Sequence, residues 1–149
     1  PAARLVLGGG NPPPVLLACA SQAIAVTGRV PDVRPYFEGA LVFVSPLRLG
    51  AGIKNKVLEA LAMGVPVVAT ALSCDGIPVT PGEHVLFGET DEELASAVLH
   101  LLDDDQRRLA LRQAGRQLVE AHFTWQRVAD QYEALYSAII AGRRGRRAP

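Results

Sequence analysis

The stretch SPLRLGAGIKNKVLEALAMGVPVVAT, from Ser45 to Thr70, decides how this chain folds. It predicts the end of a strand, a glycine loop, a short helix and then a buried strand. Gly50 and Gly52 let the loop backbone approach a ligand closely, and Gly64 marks the end of the helix. The free N–H groups at a helix start attract an anion, so the stretch predicts a cradle for a sugar nucleotide.

Charged residues follow the glycines. The helix dipole disfavours cations at its N-terminus, so an anion between Lys54 and Lys56 would explain why two lysines stand there. Glu59 can accept hydrogen bonds from ribose hydroxyls, or it can pair with Lys56 one helical turn away. Arg48 can offer its guanidinium fork to a phosphate or lie at the surface.

At these residues the chain resembles the donor-binding motif of the family 4 glycosyltransferases, which have the GT-B fold. The second half of that motif, Leu-Glu-Ala-Met-Ala-x-Gly-x-Pro-Val-Val-Ala, matches residues 58–69 almost letter for letter. The loop departs from the usual form, because Ala51 stands where the family commonly has a first glutamate. Phe123-Thr124-Trp125 matches the triplet that opens the family's terminal helix, which crosses back over the N-terminal domain in full-length relatives.

The resemblance implies a retaining, metal-independent transfer of a sugar from a nucleotide-diphosphate sugar to a glycan or lipid-linked acceptor. No cofactor is implied, because the protein itself would stabilise the leaving diphosphate. Since Ala51 cannot contact a sugar hydroxyl, either Lys54 or Asn55 substitutes for the glutamate or the donor sugar differs. No catalytic residue is assigned, and the donor contacts carried over are Arg48, Gly50, Ala51, Gly52, Ile53, Lys54 and Glu59.

Alternating strands and helices predict an α/β fold with a doubly wound, Rossmann-like parallel sheet. Uninterrupted apolar strands indicate burial on both faces of that sheet. The predicted strands are 4–7, 23–27, 41–44, 65–70 and 85–87, and the predicted helices are 15–21, 33–39, 53–63, 91–102, 106–121 and 125–140.

Relative to the family, the first strand of this domain and its Arg/Lys diphosphate clamp are missing. We expect one domain over residues 1–141, truncated at its N-terminus, and a disordered basic tail over 142–149. The missing strand leaves a central gap between strands 4–7 and 41–44. The gap can close by direct pairing of those strands, by a strand from a second molecule or by an undetected preceding segment. We expect one of the first two routes, and we favour a self-associated chain.

Composition narrows the function classes. The net charge is zero, which argues against a nucleic acid partner. No apolar run is long enough to cross a membrane, which argues against a membrane-spanning segment. Cys19 and Cys74 lack metal-ligand spacing, which suggests a reducing cytoplasm. The expected partners are a nucleotide sugar and the missing N-terminal acceptor domain. The arginine-rich tail is interpreted as solvated, with peripheral contact to anionic lipid at the inner face of a membrane as the alternative.

Other interpretations stay open beside these. Asp103-Asp104-Asp105 contains an Asp-x-Asp pattern, but capping of the following helix explains it better than a metal does. Cys74 and His84 lie in loops near the family's cleft, and Cys74 is more often passive than nucleophilic. Two further functions remain: a GT-B-shaped sugar-nucleotide epimerase, whose catalytic set cannot be located here, and a non-catalytic module that binds a partner protein.

Overall fold

The computed structural model describes residues 3–145 and shows an α/β chain whose strand pairs are all parallel. It divides into two compact units, Pro1–Ala40 and Leu41–Pro149. The elements are β1 (Leu5–Gly8), α1 (Pro14–Ala18), β2 (Ile24–Gly28), α2 (Arg34–Glu38), β3 (Phe43–Ser45), α3 (Asn55–Ala62), β4 (Val67–Ala69), a 3-10 turn (Ala71–Cys74), β5 (Leu86–Phe87), α4 (Asp91–Asp103), α5 (Asp105–His122) and α6 (Trp125–Gly145).

The first unit is built on the pair β1–β2. Leu5 lies opposite Ile24, and the register shifts where Gly8 meets Gly28. Asp32, which lies two residues before α2, accepts the backbone N–H of Arg34 at 2.9 Å. The side chain of Arg34 returns to the same carboxylate.

The second unit is a three-stranded parallel sheet in the order β3–β4–β5. β4 is buried along its whole length, as the apolar run from Val65 to Thr70 predicted. One buried cluster of the core lies where helices α4 and α5 cover Val68. Its buried members are Val68, Leu94, Leu101 and Leu111.

Helix α3 ends where the sequence predicted. The helix has its C-cap at Met63, and Gly64 follows with φ of 67°, a left-handed conformation that suits glycine. Its buried face contacts α5 at a small residue, since a Cβ on Gly115 would lie 2.7 Å from Cδ2 of Leu61. The absence of a side chain at Gly115 therefore sets how closely these two helices approach.

The starts of the last three helices are capped by side chains. Thr90 and Glu93 form a reciprocal capping box at α4, and Thr124 accepts the N–H of Arg127 at 3.3 Å in α6. Asp104 accepts the N–H of Arg107 at 2.8 Å, which confirms that the aspartate run caps α5.

Helix α6 has a largely exposed apolar side, with Trp125 at 89%. It departs from its sequence prediction at its end, because it continues to Gly145, so residues 142–145 are helical rather than part of a disordered tail. The remainder of the predicted tail, 146–149, lies outside the described residues.

The prediction that strand 4–7 pairs directly with strand 41–44 is wrong. Each of these strands finds its parallel partner inside its own unit, β1 with β2 and β3 with β4, so the described strands form two sheets rather than one. Closure of the gap by a strand from a second molecule stays a prediction.

Candidate donor site

The glycine loop lies between the carboxyl end of β3 and the start of α3, the edge at which parallel α/β sheets bind ligands. Gly50 and Gly52 have φ of 136° and 73°, in the left-handed region that favours glycine. Lys54 folds back over this loop, and its Nζ donates to the carbonyl of Gly52 at 2.5 Å. The lysine ammonium is thus held against the exposed loop backbone.

The N-terminus of α3 carries no protein anion within the described residues. Lys54 is the N-cap in an extended conformation, its side chain makes no cap hydrogen bond, and the first turn contains no acidic residue. The positive end of the helix dipole is therefore left for another negative group. The anion cradle that the sequence predicted at this terminus stays a prediction.

Lys56 and Glu59 pair on the exposed side of α3. Nζ of Lys56 lies 2.7 Å from Oε2 and 3.0 Å from Oε1 of Glu59, and the Glu59 side chain is 39% exposed. The sequence left two roles open for Glu59, and the pairing with Lys56 is present. The contact with ribose stays a prediction.

Arg48 is engaged by a distant segment. Its guanidinium donates to the carbonyl of Glu89 at 2.7 Å and to Oδ1 of Asp91 at 2.6 Å. The Glu89 carboxylate in turn accepts the N–H of Ala71 at 2.8 Å. The loop, the 3-10 turn and the start of α4 are therefore tied together at the carboxyl edge of the sheet. Sequence reasoning missed Glu89 and Asp91, because no local pattern links residues this far apart.

Of the remaining predicted contacts, Ala51 is exposed in the loop and Ile53 turns toward a second loop. A Cβ on Gly76 would lie 2.8 Å from Cγ1 of Ile53, and Gly76 has φ of 79°. The loop around Gly76 is the one expected to lie near the donor sugar. The structure thus brings the two loops into contact.

Two side chains that the sequence analysis placed in loops near the cleft are structurally occupied. Burial raises the pKa of the Cys74 thiol to about 11, which keeps it protonated at neutral pH and supports a passive role. Nδ1 of His84 accepts the N–H of Thr80 at 2.9 Å, which fixes the imidazole within its own loop.

Two kinds of site are absent from residues 3–145. No three side chains among His, Cys, Asp and Glu come together in a way that could hold a metal ion. None of the helices in this range is long and apolar enough to span a bilayer.

The parallel sheet and its glycine loop place the chain in the class of GT-B glycosyltransferase C-terminal domains. Sucrose-phosphate synthase from Thermosynechococcus elongatus superposes with a TM-score of 0.75 and 27% identity, over 93% of this chain and 39% of that one. The family model described as "Glycosyl transferases group 1" matches residues 1–104. The chain belongs to that family.

Two further proteins are similar to this chain in sequence or in structure. The chain is 33% identical over 134 residues to the GDP-mannose-dependent monoacylated alpha-(1-6)-phosphatidylinositol monomannoside mannosyltransferase of Corynebacterium glutamicum, covering 82% of this chain and 35% of that protein. HepE from Anabaena, solved in complex with UDP, shares the fold at a TM-score of 0.74 and 13% identity, over 91% of this chain and 49% of that one. The chain thus spans about a third of the length of the mannosyltransferase, as the 35% coverage shows.

Proposed function

We propose that this chain is the donor-binding domain of a nucleotide-sugar-dependent glycosyltransferase. The observation that carries the proposal is the glycine loop, whose left-handed Gly50 and Gly52 lead into the uncapped N-terminus of α3. Such a terminus is an anion site, and the diphosphate of a nucleotide sugar is an anion of suitable charge. Membership of the family, and a relative named for its use of GDP-mannose, support this assignment.

Each predicted residue then has a part in the proposal. The backbone from Gly50 to Lys54 binds the donor phosphates, and the Lys54 ammonium compensates their charge. Glu59 exchanges its contact with Lys56 for the ribose hydroxyls. Arg48 positions the loop, because its guanidinium bonds to the Glu89 carbonyl and to the Asp91 carboxylate.

The reaction we propose is a retaining, metal-independent transfer to a glycan or lipid-linked acceptor. Loop N–H groups, the α3 dipole and Lys54 would stabilise the negative charge on the departing diphosphate in place of a divalent cation. A lipid-linked acceptor is supported by the C. glutamicum relative, whose name specifies a phosphatidylinositol mannoside. We assign acceptor binding to an N-terminal domain of the full-length protein, and its reaction to the cytoplasmic side of the membrane.

The test is a calorimetric titration of the full-length protein with GDP, UDP, GDP-mannose and UDP-glucose, with and without EDTA. We expect one of the two diphosphates to bind with a dissociation constant in the micromolar range and EDTA to leave the value unchanged. Adenosine, which carries no phosphate, is the control and should not bind. Absence of binding by all four nucleotides would contradict the proposed function, and loss of binding in EDTA would contradict metal independence.

A further inference from the structure

Two buried hydroxyl groups contact the start of the glycine loop, residues 46–54, which is called the donor loop below. Thr70 and Ser73 stand at the end of β4 and in the 3-10 turn, and they are 1% and 0% exposed. Their oxygens approach each other to 2.9 Å. Buried polar side chains are retained where they meet hydrogen-bonding needs that apolar residues cannot meet. The groups that they contact are therefore informative.

Both hydroxyls bond to the backbone at the start of the loop. Thr70 Oγ1 donates to the carbonyl of Leu47 at 2.6 Å, and Ser73 Oγ donates to the carbonyl of Ser45 at 2.7 Å. The N–H of Leu47 returns to Ser73 Oγ at 3.3 Å. Thr70 Oγ1 in turn accepts the N–H of Ser73 at 3.3 Å. Each hydroxyl thus donates its one proton to a carbonyl and accepts an N–H.

These bonds begin where the sheet ladder stops. β3 ends at Ser45, whose carbonyl also accepts the N–H of Thr70 at 3.2 Å. Beyond that point, Leu47 has both its N–H and its carbonyl bonded to side chains of the 70–73 segment. The course of the chain as it leaves the sheet is therefore set by side chains.

The other end of the loop is held by the same segment. Ile53 packs closely on Gly76, because a Cβ placed on Gly76 would lie 2.8 Å from Cγ1 of Ile53. Residues 70–76 thus hold Leu47 by hydrogen bonds and Ile53 by van der Waals contact. Between these two anchors lie Gly50 and Gly52.

We propose that Thr70 and Ser73 are positioning residues for the donor loop. Neither touches the donor. Together they fix Leu47, and through it the place of the Gly50–Lys54 backbone that receives the diphosphate. This inference rests on the proposed function, because that function supplies the ligand for which the loop is positioned.

The experiment uses the full-length protein and three variants. Thr70→Val removes the hydroxyl at nearly constant shape, Thr70→Ser keeps it, and Leu111→Val lowers stability from the core, away from the network. Two quantities are measured: amide hydrogen exchange over residues 47–54, and the dissociation constant of whichever of GDP or UDP binds.

We expect Thr70→Val to speed exchange in the loop and to weaken nucleotide binding, each by roughly five- to tenfold, the effect of one lost hydrogen bond. Thr70→Ser should restore both quantities to near the original values. Leu111→Val should leave both unchanged at a temperature where the protein is fully folded. Ser73→Ala, which removes the second hydroxyl, should reproduce the effect of Thr70→Val and serves if that variant fails to fold.

The inference is overturned if the hydroxyl-deletion variants alter loop exchange no more than Leu111→Val does. It is also overturned if loop exchange rises while nucleotide affinity stays the same. If the unaltered protein binds neither diphosphate, the proposed function fails. The exchange data then still decide whether the two hydroxyls position the loop.

Discussion

Lys56 and Glu59 form an ion pair on the exposed side of α3, with Nζ of the lysine 2.7 Å from Oε2 of the glutamate. Exposed pairs three or four residues apart stabilise a helix by only about 0.2–0.5 kcal/mol. The pair is therefore weak enough for a ligand to replace, and the role of Glu59 can be tested by mutation.

Glu59→Ala in the full-length protein should weaken donor binding by about 1–3 kcal/mol, the value of a lost hydrogen bond to a charged group. The free energy of unfolding should change by less than about 0.5 kcal/mol, because the pair is exposed. Donor KM and urea unfolding are the measurements. Arg116→Ala is the matched control, since it breaks an exposed helical ion pair with Glu120 outside the glycine loop and should leave donor KM nearly unchanged. Equal effects of the two variants on donor KM would contradict a contact between Glu59 and the donor.

The isolated 149-residue chain should transfer no sugar, because we assign the acceptor-binding groups and the Arg/Lys clamp to other parts of the full-length protein. Incubation with GDP-mannose or UDP-glucose and released-nucleotide detection would measure this. The full-length protein under identical conditions is the positive control. Turnover by the isolated chain would refute the assignment of the acceptor-binding groups and the Arg/Lys clamp to other parts of the full-length protein.

Gly88→Ala should destabilise the protein by about 1–3 kcal/mol, the usual range for overpacking. A Cβ at this buried position would lie 2.7 Å from the backbone nitrogen of Leu94 and 2.9 Å from the carbonyl carbon of Glu93. Backbone atoms in the first turn of α4 cannot move aside as a side-chain tip can. Gly9→Ala is the control, because its Cβ would meet nothing within 4 Å and should cost less than about 0.5 kcal/mol. Thermal unfolding that ranks the two variants equally would show that β5 and α4 are less closely packed than described.

The two cysteines should differ in reactivity toward an aromatic disulfide reagent at pH 8. Cys19 is exposed and should react at once, whereas Cys74 is buried and should react only on unfolding. Immediate labelling of two thiols in the folded protein would show that the segment around Cys74 opens readily.

The Cys74 thiol also makes the free energy of unfolding depend on pH in the alkaline range. Its pKa rises from 9.0 to about 11 in the folded chain because burial penalises the thiolate. The stabilisation is therefore complete below pH 9 and is lost as the pH rises toward 11. Urea unfolding between pH 8 and 11 should show a shallower decline for Cys74→Ala than for the unaltered protein. Parallel declines would mean that the thiol does not contribute.

Local patterns predicted much of this fold. Gly64 ended α3 because a left-handed residue is needed there, and the apolar run after it gave a buried central strand. The aspartates before α5 could be assigned as a cap because Asp caps act within one helical turn. In each case the determining contacts lie within a few residues.

What the sequence did not predict depends on contacts between distant segments. Arg48 was expected to face phosphate or solvent, and its partners Glu89 and Asp91 are 41 and 43 residues away. Periodicity can place the apolar residues of α6 on one side, but it does not say what covers that side. Trp125 is exposed in this chain.

The donor loop and the strand that follows it differ in how freely they can change during evolution. Val67, Val68 and Ala69 are fully buried in the sheet, so replacements there disturb packing. Ala51 stands exposed in the loop, where replacement leaves the core intact. Under the proposed function, a lineage carrying this domain can drift toward a new donor sugar through single substitutions at Ala51. Its fold would stay under purifying selection at Val67, sixteen residues further along the chain.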